Sequence, residues 1–219
     1  MKLYSLPTSP YAARVRMFLR AKGAEIELIP PPRAEEYRAI TPLGKVPALV
    51  LDDGRILPES EVICAYLDGE LAGPSLYAGD LVECAQISLL VRLADLYLSP
   101  GLNDFFKLLF TEPGNRAAIE QTLPEIGRGL KYLDLYVAPG GYAVGQRFTQ
   151  ADCALAPLLF NVAEVLAPVI GENLIERRPN LLAYWQAIQQ NEFAAPVLAE
   201  MRDGLRKYRA MLQAAQVQQ

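Results

Sequence analysis

Asp52-Asp53-Gly54 is the strongest local constraint in this chain. It lies between two short β-favouring runs, residues 47–51 and 55–57, and Asp-Gly accepts the positive φ that a hairpin turn demands. An antiparallel strand pair is therefore expected there. Upstream, residues 2–6 read as a strand, 10–22 as a helix, 25–29 as a strand and 33–40 as a short helix; downstream, 59–70 read as a helix. The order β-α-β-α-β-β-α predicts a mixed sheet covered by helices, an α/β domain over residues 1–73. Gly73, Pro74 and Gly79 interrupt both periodicities, and residues 74–79 read as a linker.

Residues 80–219 are helical by pattern, which predicts an all-α second domain. Asp80 with Glu83 marks a helix start that should run to about Ser99, where Pro100-Gly101 interrupts it. Phe148-Thr149-Gln150-Ala151-Asp152 is a second start signal, with Thr149 capping free N–H groups and Asp152 reaching back. Further helices are expected over about 179–190 and 192–215, followed by a Gln-rich tail that should fray.

No histidine occurs among the 219 residues. Its side chain is the one with an unperturbed pKa, ~6.5, near working pH, so it dominates general-base work and metal ligation. Its absence excludes Ser-His-Asp and Cys-His hydrolases, paired-histidine zinc enzymes and imidazole haem sites. A composition of 52% hydrophobic and 21% charged residues supports a packed core, and the net charge of −4 argues against a nucleic-acid surface. The N-terminus lacks the apolar run of a signal peptide. The most apolar stretch, residues 153–170, is broken by Pro157, Asn161, Glu164 and Pro168, which argues against a membrane span. Cys64, Cys84 and Cys153 are odd in number and widely spaced, so neither a disulfide framework nor a zinc site is expected. They read as core thiols in a reducing cytoplasm.

Three segments carry candidate chemistry, and each also has a purely structural reading. Ser9-Pro10-Tyr11 opens the first helix; Ser9 is either an ordinary N-cap or a hydroxyl beside the positive helix end, where an anion is stabilised. A thiol placed there would have its pKa drawn down from ~8.5. Gly44-Lys45-Val46-Pro47 leads into an apolar strand; Pro47 is either a plain strand-entry proline or the second residue of a cis bond that turns the Val46 backbone toward an extended ligand. Pro58-Glu59-Ser60-Glu61 begins a helix whose acidic first turn is routine, yet Ser60 could receive a carboxylate and Glu59 an ammonium, together reading an α-amino acid end. Arg14, Arg16, Arg20 and Lys22 read as a solvated helix face.

Taken in order, Ser9-Pro10-Tyr11, Thr41-Pro-Leu-Gly-Lys-Val-Pro-Ala-Leu49, Pro58-Glu59-Ser60 and Val144-Gly-Gln-Arg-Phe-Thr-Gln-Ala-Asp152 resemble the cytosolic glutathione S-transferases of serine type, with omega-, tau- and zeta-like features. The resemblance spans residues 2 to about 165. It implies a thioredoxin-like domain that binds glutathione as cosubstrate, an all-helical domain that supplies the pocket for a hydrophobic electrophile, a homodimer, and no metal. It further implies that Ser9 steadies the glutathione thiolate, with Ser5 the runner-up hydroxyl. Tyr11 would border the ligand, Val46 at Pro47 would pair with the cysteinyl unit, Lys45 would approach the glycyl carboxylate, and Glu59 with Ser60 would hold the γ-glutamyl group. Thr149 and Asp152 match the family's capping motif.

Two departures sharpen the expectation. Thr41 replaces the usual Asn, and Ser9 in place of cysteine argues against thiol-transferase or dehydroascorbate-reductase activity. Arg14-Val15-Arg16 resembles the zeta-type maleylacetoacetate isomerases, but their Ser-Ser-Cys is Ser9-Pro10-Tyr11 here, which argues against isomerase activity. A glutathione-dependent isomerase or lyase stands as an alternative, as does a non-catalytic binding or regulatory protein on the same fold. Tyr97, Phe105, Phe106 and Tyr208 are candidate pocket aromatics, with core packing expected for at least half of them.

Overall fold

The expected hairpin is present in the computed structural model, which describes residues 1–217. Strands β3 (Ala48–Val50) and β4 (Ile56–Pro58) pair antiparallel, Leu51 N–H donates to the Arg55 carbonyl at 2.9 Å, and Gly54 takes φ 84° to close the turn. β1 (Lys2–Tyr4) runs antiparallel to β3 and parallel to β2 (Glu27–Ile29), giving the sheet order β2-β1-β3-β4. A parallel pair needs a crossover, which α1 (Pro10–Ala21) supplies. Helices α2 (Ala34–Ile40) and α3 (Ser60–Glu70) complete the β-α-β-α-β-β-α order. Leu3 and Leu49 of the sheet, Val15, Met17 and Phe18 of α1, and Ile63 and Leu67 of α3 are fully buried and form this core.

The chain divides into two compact units, residues 1–75 with the segment from Glu192 onward, and residues 76–191. The final helix, expected within 80–219, thus groups with the sheet. It is numbered α10 below and spans Ala194–Val217. The last two residues of the Gln-rich tail lie outside the described residues.

The second unit is all-helical: α4 (Leu81–Leu93), a π turn (Ala94–Leu98), α5 (Ser99–Thr111), α6 (Arg116–Tyr136), α7 (Gln150–Phe160), a second π turn (Asn161–Leu166), α8 (Ala167–Ile170), a 3₁₀ turn (Leu174–Arg177) and α9 (Pro179–Ile188). Asp80 caps α4 as expected, accepting from the Val82 and Glu83 N–H groups at 2.8 Å. Pro100-Gly101 does not end that helical course. The π turn absorbs the register change, with the Ser99 N–H donating to the Ala94 carbonyl, and Pro100 follows in the first turn of α5. Asp134 of α6 caps α9 across the unit by accepting from Asn180 and Leu181 N–H at 2.9 and 3.0 Å.

Thr149 and Asp152 form the expected reciprocal capping box at α7. The run Gln150–Ile170 is long and apolar enough to cross a membrane, but every residue of α7 is buried within this unit's core. Cys64 and Cys153 are buried, while Cys84 is half-buried with its thiol donating to the Tyr77 carbonyl at 3.2 Å.

The reading of the α1 cations as a solvated face is also corrected. Arg14 and Arg16 are only 2% and 5% exposed, and the Lys22 side chain is also buried, its Nζ 3.2 Å from Asp68 Oδ1. Arg20 alone keeps solvent contact, at 46% exposure. The cause is coverage. α1 packs against both α3 and α10, so Ala12 through Leu19 are all buried and, of these cations, only Arg20 near the helix end reaches solvent.

Candidate functional site

Strand register assembles the candidate residues. Tyr4, Ala48 and Pro58 face one another across β1, β3 and β4, each at the strand end where a candidate segment begins or finishes. Residues 5–9 leave β1 beyond Tyr4, Val46-Pro47 enter β3 before Ala48, and Glu59-Ser60 leave β4 beyond Pro58. All three segments therefore emerge at one end of the sheet.

Ser9 is the N-cap of α1, with φ −73° and ψ 122°, and its Oγ accepts from the Ala12 N–H at 3.2 Å. It is half-exposed, Pro10 follows in the first turn, and that turn carries no acidic side chain, so the positive helix end is left uncompensated. Ser5 differs in setting. It is 9% exposed and its hydroxyl accepts from Arg16 Nη1 at 2.9 Å. Tyr11 is half-buried, and the Arg14 guanidinium lies 5.9 Å from its ring centroid. Arg14 Nη1 also lies 3.6 Å from Glu61 Oε2, which links the start of α1 to the start of α3.

The Val46–Pro47 bond is cis, Val46 is half-exposed, Pro47 is buried and Lys45 is exposed. The Lys45 carbonyl accepts from Tyr37 Oη at 3.0 Å. Tyr37 is the single buried residue of α2, and burial, with the nearby Tyr4 adding to it, pushes its phenol up to about 12, so it serves as a donor at any working pH. Replacing Tyr37 by Phe removes that bond, and urea unfolding should show a loss of about 1 kcal/mol. A midpoint unchanged from the wild type would show that the contact contributes nothing.

Glu59 has φ 69° and ψ 116°, the one non-glycine residue with positive φ among those described. A side chain there costs about 1–3 kcal/mol unless its neighbours hold it, and such strain gathers at ligand-binding positions. The Glu59 side chain makes no capping bond to α3 and is exposed, while Ser60 is buried at the first position of the helix. An outward carboxylate thus stands beside the positive end of α3.

Reading the sequence missed Arg16 and Tyr37 as supports of this region. A signal existed for each. Arg14 and Arg16 interrupt an otherwise apolar run, and Tyr37 is the lone aromatic of a polar helix. Among the aromatics, Phe105 is fully buried and belongs to the helical core; Phe106 and Phe110 stack with centroids 6.4 Å apart, and Tyr97 meets Tyr132 edge-on at 5.3 Å. Tyr208 is partly exposed on α10. Among the described residues no three His, Cys, Asp or Glu side chains gather where they could hold a metal ion.

Comparison with known proteins agrees with this geometry. Residues 3–75 match the family model for the glutathione S-transferase N-terminal domain, and residues 116–187 match that for the C-terminal domain. The chain is 29% identical to the maleylacetoacetate isomerase of Pseudomonas aeruginosa, covering 87% of this chain and 94% of that one. It is 27% identical to glutathione S-transferase 3 of Zea mays, covering 86% and 88% respectively. A solved glutathione S-transferase from Methylobacillus flagellatus, with glutathione bound, superposes with a TM-score of 0.77 at 25% identity over 90% of this chain and 98% of that one. With both family domains matched in order on a thioredoxin-like sheet followed by a helical unit, this chain belongs to the cytosolic glutathione S-transferase family.

Proposed function

We propose that this protein is a glutathione transferase of serine type, which joins the glutathione thiolate to an electrophilic carbon of a small molecule. The observation that carries the reading is the convergence of residues 5–9, Val46-Pro47 and Glu59-Ser60 at one end of the sheet. Glutathione lies along that end as an extended peptide. Its cysteinyl unit pairs with the Val46 backbone, its glycyl carboxylate approaches Lys45, and its γ-glutamyl group meets Ser60 through the carboxylate and Glu59 through the ammonium. Tyr11 borders it.

Ser9 donates its hydroxyl proton to the sulfur, and the α1 dipole adds to the stabilisation of the anion. The half-exposed Ser9 at a helix N-terminus supports this role over Ser5, whose hydroxyl is buried against Arg16. The thiolate attacks the electrophile, forming a C–S bond as the leaving group departs with its electron pair, or as an activated double bond takes up the pair and then a proton. No internal base is required. Exposed Leu81, Val82, Leu89 and Leu96 support a homodimer, which we place in the cytoplasm.

Calorimetric titration with glutathione tests the reading. Saturable binding is expected, and Glu59→Ala should weaken it about 10–100-fold, as loss of a charged hydrogen bond of about 1.5–3 kcal/mol implies, with little change in melting temperature. A wild-type protein that takes up no glutathione at millimolar concentration overturns it.

The similarity to an isomerase of Pseudomonas aeruginosa favours a second reading, in which the same thiolate adds to a conjugated double bond and is then expelled. Turnover of a cis-trans substrate with no consumption of glutathione would select that reading. Stoichiometric thioether formation selects the first.

A further inference from the structure

We propose that Arg16 and Glu200 form a clasp through which the C-terminal helix positions the loop carrying Ser9. This rests on the reading of Ser9 given above. Arg16 is buried, and its guanidinium is held by three hydrogen bonds and an ion pair. Nη1 donates to Ser5 Oγ at 2.9 Å and to the Leu6 carbonyl at 3.1 Å, Nη2 donates to the Pro7 carbonyl at 2.9 Å, and Nε lies 3.1 Å from Glu200 Oε2. Three successive residues of the β1–α1 loop are thus pinned by one planar fork. The Leu6 carbonyl also accepts from the Ser9 N–H at 3.2 Å, so holding Leu6 holds the residue whose hydroxyl faces the ligand.

Arg16 supplies this loop with donors that the sheet does not. Pro7 has no N–H, and the Leu6 and Pro7 carbonyls lie beyond the last ladder residue, Tyr4. A buried guanidinium in turn needs a counter-charge. Burial lowers the Arg16 pKa from its ordinary value while Glu200 opposes that shift, and Glu200 Oε1 is in turn held by Arg20 Nη2 at 2.7 Å. One turn further along α10, a Cβ at Gly204 would fall 2.9 Å from Pro7 Cβ and 3.2 Å from Thr8 Cγ2. Glu200 and Gly204 are four apart and share a helix face. That face is therefore pressed directly against the loop, by charge at one position and by the absence of a side chain at the other. Arg16 is a positioning residue: it acts through Ser9 and touches no substrate itself.

The test uses the full chain and a thiol placed at the position in question. In Ser9→Cys protein, alkylation by iodoacetamide is followed against pH, with the modified peptide read by mass spectrometry to separate it from Cys64, Cys84 and Cys153. Adding Arg16→Lys keeps the charge but replaces the fork by a single point. The thiol pKa should rise by about one unit, the change expected when a positioned helix-end interaction is lost. Gly204→Ala, which leaves Arg16 intact and crowds Pro7, should shift it in the same direction and serves where the lysine variant does not fold. Glu200→Gln, which removes the counter-charge but leaves the Arg16 fork on the loop, should shift it less than Arg16→Lys. In the otherwise native protein, Arg16→Lys should lower kcat/KM at pH 6.5 by about 10-fold, the equivalent of that unit, with glutathione affinity within about 3-fold of wild type.

A thiol titration that does not move in folded Arg16→Lys or Gly204→Ala protein overturns the clasp, whatever glutathione does. A wild-type protein that binds no glutathione overturns the reading of the site instead, and the titration still decides the clasp.

Discussion

Replacing Asp152 by alanine should destabilise the protein by about 3–5 kcal/mol in urea unfolding, the range for uncovering buried donors around a lost charge. Asp152 is fully buried. It accepts from the Ala143 N–H and the Thr149 N–H at 2.8 Å and from Thr149 Oγ1 at 3.1 Å, and the buried Tyr184 side chain lies nearby. Alanine leaves these three donors without that acceptor and removes half of the α7 capping box. The same carboxylate makes stability depend on pH. Burial pushes its pKa from 3.8 up to about 6, against the lowering effect of those hydrogen bonds.

In the unfolded chain the carboxyl titrates near ~3.9. Between those values the folded protein holds a proton that the unfolded chain releases, so the contribution is full below about pH 4 and is lost as the pH rises through about 6. Two units correspond to about 3 kcal/mol. Asp152→Asn cannot titrate, so the stability difference between wild type and that variant should shrink by about this amount from pH 4 to pH 7. A difference that stays flat over the range would show that the carboxyl ionises as freely folded as unfolded.

Replacing Ser9 by alanine should raise the pKa of bound glutathione by about one to two units, because a hydrogen bond to a charged group contributes about 1.5–3 kcal/mol. At pH 6.5 the thiolate fraction, and with it kcat, should fall about 10–100-fold and recover as the pH is raised past the new pKa. Glutathione affinity should stay within about 3-fold, since the peptide is held elsewhere. The variant also loses the cap that accepts from Ala12, at about 0.5–2 kcal/mol of stability. The two roles separate cleanly. A protein that unfolds more easily but keeps its full rate at pH 6.5 uses Ser9 only as a cap.

These two sites were unequally legible. The capping box at Thr149-Asp152 depends on residues three apart, and its pattern can be read directly; its burial cannot, because Tyr184 and Ala143 reach Asp152 only after the helices pack. The β3–β4 hairpin was likewise readable from Asp52-Asp53-Gly54. The course of the long helical stretch was not. Pro100-Gly101 reads as a break, and only the π turn at Ala94–Leu98 lets the chain carry on through it. Charge was the least legible. A cationic run on a helix normally faces water, and here packing of α3 and α10 around α1 leaves only Arg20 of that run in solvent.

The missing histidine, the strand and helix order, the caps and the hairpin are properties of the chain as written, because each follows from composition or from side chains a few residues apart. Without histidine, the chemistry is left to hydroxyls, carboxylates, amines or a reactive group brought by a second molecule. Tertiary structure decided the rest. Only strand register brings residues 5–9, Val46 and Glu59 to one end of the sheet, and only folding joins Glu200 to arginines of the first helix, Arg20 among them at a separation of 180 residues. Such contacts carry no local pattern. Their geometry is set by how elements pack, and a buried guanidinium is held by the acceptors and the counter-charge that the packed chain brings to it.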